Sequence, residues 1–149
     1  MENWKPLNRE QALAARDFSR AGETFIDHKG LLHEISYLIL TPLGYYVIVS
    51  KQALQHVEKH PKAARYKTDF PHFLNNPDLI APNYEFETAQ LYYKVAEGTL
   101  LAIAVHQKDD LRFVTTMHKA PTIKGIREKK ISQTDFLYIR GGFKWKKWK

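Results

Sequence analysis

A chain of 149 residues, 44% hydrophobic and 13% aromatic, has the size and composition of one globular domain with its own core. Without a cysteine it can form no disulfide framework, thiolate nucleophile or thiolate zinc site, and without a long apolar run or an apolar leader after Met1 it is expected to be soluble, cytoplasmic and free of membrane partners. Its 23 Lys and Arg against 16 Asp and Glu give a formal charge of +7, concentrated from Lys119 onward where the only acids are Glu128 and Asp135, so a polyanion is the natural partner and mere solubility the competing explanation.

Along the chain, Asn8 is placed to cap a helix reaching about Ser19, with Leu13, Ala14, Ala15 and Phe18 as its apolar stripe and Gly22 as its stop. Residues 1–35 thus read as a helical appendage. The β-branched and aromatic runs 35–40 and 45–49 flank Thr41-Pro42-Leu43-Gly44 and predict a hairpin. Ser50 then occupies an N-cap position, opening a helix from Lys51 to about His60 that Pro61 closes. A second helical stretch, 66–74, runs into Asn75-Asn76-Pro77-Asp78, a loop. Three strands follow over 90–96, 99–105 and 111–116, joined at Glu97-Gly98 and at Gln107-Lys108-Asp109-Asp110 in the pattern of an antiparallel meander. Residues 100–105 are apolar on both faces and belong at its centre. The predicted fold is α+β, with N-terminal helices packed on an antiparallel sheet of four or more strands. It forms a single domain, with 36–140 as core and 141–149 as a basic, aromatic tail.

His56 and His60 lie four apart and share one helix face, and His60 falls in the predicted last turn, where the helix dipole favours a proton donor. Two idle solvent-edge histidines are the plain alternative. A metal pair is disfavoured because His56-Val57-Glu58-Lys59-His60 displaces the glutamate from its place in His-Glu-x-x-His, so a zinc peptidase is not expected. On the strands, alternation sets Tyr92, Lys94 and Ala96 against Leu91, Tyr93 and Val95, and sets Arg112, Val114 and Thr116 against Leu111 and Phe113. If the apolar sets face the helices, Lys94, Arg112 and Thr116 share one open sheet surface suited to a phosphate, the alternative being an ordinary solvated face. In the tail, bases can stack on Trp145 and Trp148 while Lys144 and Lys147 follow the backbone. A membrane-surface segment or an artificial extension would have a similar composition.

Taken in order, Val47-Ile48-Val49-Ser50, Gln55-His56-Val57-Glu58-Lys59-His60-Pro61, Asn76-Pro77-Asp78-Leu79-Ile80, Tyr92-Tyr93-Lys94 and Phe113-Val114-Thr115-Thr116-Met117 resemble the phage-associated branch of the barnase, EndoU, colicin and RelE-like nuclease superfamily, over about residues 46–130. The resemblance implies helices followed by an antiparallel sheet of four or more strands, with the site on its open face beside a helix. It also implies metal-independent endoribonuclease activity, as a toxin of a phage or mobile-element system. By position it points to His60, Lys94 and Thr116. Where relatives often have an aromatic residue two places after that threonine, this chain has His118, an extra acid–base group. The expected chemistry is attack of the RNA 2′-hydroxyl on its own phosphate, for which no metal or other cofactor is required. His60 would act as acid or base, His56 and His118 would compete for the second proton transfer, Lys94 with Arg112 would stabilise the phosphate, and Thr116 would donate a hydrogen bond. Lys119 and the tail would hold RNA, tRNA among the candidates, and an immunity or antitoxin protein would be a second partner. A non-catalytic nucleic-acid-binding module is the alternative, and an adaptor for an acidic protein a third reading.

Overall fold

The computed structural model describes residues 5–149. Asn8 takes the N–H of Gln11 on its side chain at 2.8 Å while the Gln11 side chain takes the N–H of Asn8 at 3.1 Å, a reciprocal cap that opens α1 (Arg9–Ala14). The helix ends well short of Ser19 because Asp17 exchanges backbone hydrogen bonds with Leu38 at 3.1 and 2.8 Å. Beyond it the chain adds a strand that the sequence did not announce, β1 (Thr24–Ile26). The hairpin of β2 (Leu32–Leu40) and β3 (Tyr46–Ser50) forms as expected, its turn completed by Gly44 at φ +94°.

Ser50 is the predicted cap, its Oγ accepting the N–H of Ala53 at 3.0 Å at the head of α2 (Lys51–Val57). Pro61 acts earlier than expected. It pushes His60 to φ −112°, ψ 91°, so His60 leaves α2 and precedes a new short helix, α3 (Pro61–Ala64). His60 therefore stands outside the last turn of α2, where the helix dipole would have favoured a cation. A 3-10 turn at Lys67–Asp69 leads into α4 (Phe70–Asn75). Then come β4 (Leu79–Pro82), β5 (Ala89–Ala96), β6 (Thr99–Lys108), β7 (Leu111–Lys119) and β8 (Tyr138–Ile139). Successive positive φ angles at Glu97 and Gly98 make the tight β5–β6 turn.

The sheet has eight strands in the order β1-β2-β3-β7-β6-β5-β4-β8. It is mixed rather than antiparallel throughout, because β3 and β7 run parallel. β6 lies between β5 and β7 and buries both its faces, as its unbroken apolar run predicts. One face, with Leu101, Ile103 and Val105, packs with Tyr92 and Met117 against Ala53, Val57, Phe70, Phe73 and Leu74 of α2 and α4. The other, with Leu100, Ala102 and Ala104, packs with Leu91 and Tyr93 under a C-terminal arm that contributes Ile123, Ile131, Phe143, Trp145 and Trp148. α1 rests on α4. Among the described residues no helix is long and apolar enough to cross a membrane.

Asp78 ties one edge of the sheet together. Only 3% exposed, it accepts the Val95 N–H at 2.8 Å and the Arg140 Nε at 2.6 Å, with Lys94 Nζ at 3.6 Å. Removing a buried acid leaves its cations uncompensated, so Asp78→Ala is expected to lower the unfolding free energy by about 3 kcal/mol. Urea denaturation checks this, and a midpoint equal to that of the parent protein would mean the cluster adds nothing to stability.

Candidate functional site

Strands β3 and β7 pair at Ile48 and Phe113 only, after which β3 passes into α2 and the helix packs beside β7. The gap is the origin of the site. β7 also bulges: Val114 pairs with Val105 but Thr116 pairs with Ala104, leaving Thr115 as an extra residue. A bulge reverses the alternation beyond it, so Arg112 and Val114 face the helices while Thr116 and His118 face the other way. There they meet a cleft of about 820 Å³ floored by Leu91, Tyr93, Ala102 and Ala104. Its walls come from α2, from the chain around Asp27 to His33, and from the start of the C-terminal arm.

Three imidazoles gather at one end. The ring of His60 stands 5.3 Å from that of His56 and 6.2 Å from that of His118, with His56 and His118 lining the cleft. Burial lowers the pKa of both His56 and His118, and the charge of His60 lowers each further. A proton on His60 thus disfavours a proton on either neighbour. Thr116 lines the same cleft, its buried Oγ1 making no hydrogen bond. Lys29 and Lys124 stand on the walls. Lys62 and Lys119 are close enough for the Lys62 amine to lower the pKa of Lys119 by hydrogen bonding and by charge.

A buried relay fixes the cleft wall to α2. His33 Nε2 meets Asp27 Oδ2 at 2.8 Å and His33 Nδ1 meets Ser50 Oγ at 2.6 Å. Asp27 also accepts the N–H groups of Lys29 and Leu31. Burial works to raise its pKa, but these donors together hold it below the usual value. With Ser50 fully buried and serving as the helix cap, the chain Asp27–His33–Ser50 braces the wall and presents no nucleophile.

The structure therefore brings together His56, His60, Thr116 and His118, and sets the other predicted residues apart. Lys94 shares the helix-facing side with Tyr92 and donates to the Asn76 carbonyl at 2.8 Å; burial lowers its pKa while Asp78 opposes the shift. Arg112 stacks on Tyr45 at 3.8 Å, also on the helix side. In the tail, Phe143, Trp145 and Trp148 pack against the sheet and the Trp148 carbonyl accepts the Ile123 N–H at 2.7 Å, while Lys144 and Lys147 point outward. Residues that sequence reasoning passed over are His28, His33 and His106, which line the cleft, so that five of the seven histidines lie in its wall and His60 abuts it. Their number was the only available signal, since no spacing links them.

Comparison of the chain with protein-family models, with curated proteins and with solved structures finds no match.

Proposed function

We propose that the protein is an endoribonuclease that cuts RNA by attack of the 2′-hydroxyl on the adjacent phosphate, with His56, His60 and His118 as its proton-transfer groups. The observation that carries this reading is the convergence of those imidazoles at one end of a cleft that also holds a buried, unpartnered threonine hydroxyl and is edged by lysines. Such a cluster holds one proton more readily than two, and transesterification needs one base and one acid. In this scheme neutral His118 takes the 2′-hydroxyl proton. The 2′-oxygen bonds to phosphorus, His60 gives its proton to the departing 5′-oxygen, and the product carries a 2′,3′-cyclic phosphate. Thr116 donates to a non-bridging oxygen, and Lys29 offsets its charge, Lys124 being paired with Glu85 at 3.1 Å.

Incubation of the purified protein with total RNA in excess EDTA is expected to give fragments with 2′,3′-cyclic phosphate ends. Dependence on added magnesium together with 5′-phosphate ends would overturn the scheme, and tight binding with no cleavage would favour a nucleic-acid-binding module instead. The pH profile follows from the lowered histidines. The base form is lost only as pH falls through a pKa below the ordinary 6.5, so the acid limb of the rate at limiting substrate should lie under pH 6.5. A limb at or above that value would remove His118 from the role of base. As a toxin, the wild-type chain should arrest bacterial growth on induction and the His60→Ala variant should not.

A further inference from the structure

The cleft has a second end, and it differs chemically from the first. His28 and His106 stack there with ring centroids 3.9 Å apart and planes 12° from parallel. His106 is 7% exposed, and the Nδ1 atoms of both rings are buried without a hydrogen-bond partner. Unsatisfied buried polar atoms are rare and costly, and two in one stack call for a physical explanation. Next to them stand two large aromatic rings that folding leaves open. Phe86 is 49% exposed and meets His106 edge-on at 5.8 Å, and Tyr84 is 38% exposed. Tyr84 is held in place from behind by Gly125, where an added Cβ would lie 2.9 Å from the Tyr84 ring. All four side chains line the cleft.

We infer that His28, His106, Phe86 and Tyr84 form a base-binding subsite that takes an unpaired purine from single-stranded RNA, an inference that rests on the endoribonuclease reading and names its substrate. Aromatic rings bind nucleobases by stacking, which strengthens with the area of the base, so two exposed rings beside a cleft favour the fused rings of a purine over a pyrimidine. The two imidazoles offer what a base edge needs: burial and mutual repulsion keep His106 neutral, with its pKa pushed down to about 4, so each ring can present a donor or an acceptor instead of a charge. The four rings themselves carry no charge, and of the two cations beside them Lys124 is already paired with Glu85 at 3.1 Å, which leaves Lys29 for phosphate and the rings for a base. Position agrees with this. His106 is four residues along β6 from Ala102, the partner of His118, which is about 13 Å at the rise of a strand. That separation seats the base of a nucleotide neighbouring the cut while the scissile phosphate lies among His56, His60 and His118. Double-stranded RNA, whose bases are stacked on one another, cannot fill such a cradle.

The test uses binding without turnover. Adenosine 3′-monophosphate, uridine 3′-monophosphate and inorganic phosphate are titrated into the full-length wild-type protein and into Phe86→Ala, with the imidazole proton resonances of His28 and His106 as the readout. Phe86 is half exposed, so its removal leaves the core intact, and an unchanged melting curve verifies that. The expected result is tighter binding of the adenine nucleotide than of the uridine nucleotide, weakened about tenfold by Phe86→Ala, while phosphate binding stays the same. Equal affinity for the two nucleotides, or an adenine affinity that Phe86→Ala does not change, would overturn the subsite. RNA cleavage by the same preparations separates the two claims: cleavage that persists without adenine preference removes the subsite and keeps the nuclease. Adenine binding at these histidines with no cleavage keeps the subsite and removes the nuclease.

Discussion

His118→Ala is expected to slow single-turnover cleavage of a short single-stranded RNA by a factor of about 10² to 10⁴, the usual contribution of a positioned proton-transfer group. His118 projects from the central part of the sheet, on the strand next to β6, and its ring lies beside that of His60. A rigid strand holds it better than a loop would. Its lowered pKa leaves the ring neutral at pH 7 and ready to accept a proton. The loss should fall on the maximal rate and not on substrate affinity, because a group that moves a proton acts in the transition state. His60→Ala should show a comparable loss, and the double variant should be little worse than either alone if the two rings serve one proton circuit. Unfolding midpoints measured on the same variants guard against a structural cause. A His118→Ala variant with the parental rate would exclude His118 from the proposed chemistry.

How far the sequence foretold this site depends on single residues. The hairpin, the Ser50 cap and the meander were legible because turn chemistry and alternation are local. The shared face of Lys94, Arg112 and Thr116 was not. One extra residue, Thr115, turns Thr116 and His118 toward the cleft and leaves Arg112 under the helices, and no local pattern in Val114-Thr115-Thr116 marks the bulge. The single residue Pro61 likewise moved His60 out of α2 and set it in the space between His56 and His118. β1, β4 and β8 escaped notice because strands of three, four and two residues are too short for alternation to register. The parallel contact of β3 with β7 joins segments more than sixty residues apart, a distance over which sequence pattern carries no pairing information.

Deleting Phe143 to Lys149 is expected to reduce stability by about 4 kcal/mol, which for a domain of this size lowers the melting temperature by about 10 °C. The composition of the tail predicts an accessory grip on RNA, whereas its packing makes it a cover for the sheet. Lysines alternate with aromatics, so that Phe143, Trp145 and Trp148 turn inward onto the cluster of Leu100, Ala102 and Ile123 while Lys144, Lys146 and Lys147 turn to solvent. Trp145 meets Phe136 edge-on at 5.2 Å, and Trp148 closes the arm on itself through the bond from Ile123. Truncation would bare that apolar face and should raise binding of a hydrophobic dye. The two roles separate in a second variant, Lys144→Gln with Lys146→Gln and Lys147→Gln, which keeps the aromatic cover. Its melting temperature should match the parent. If the lysines also touch RNA, the dependence of binding on salt should become shallower as fewer counterions are displaced. A truncated chain that melts with the full-length protein would show that the aromatic residues add no stability, and would return the tail to the role its composition first indicated.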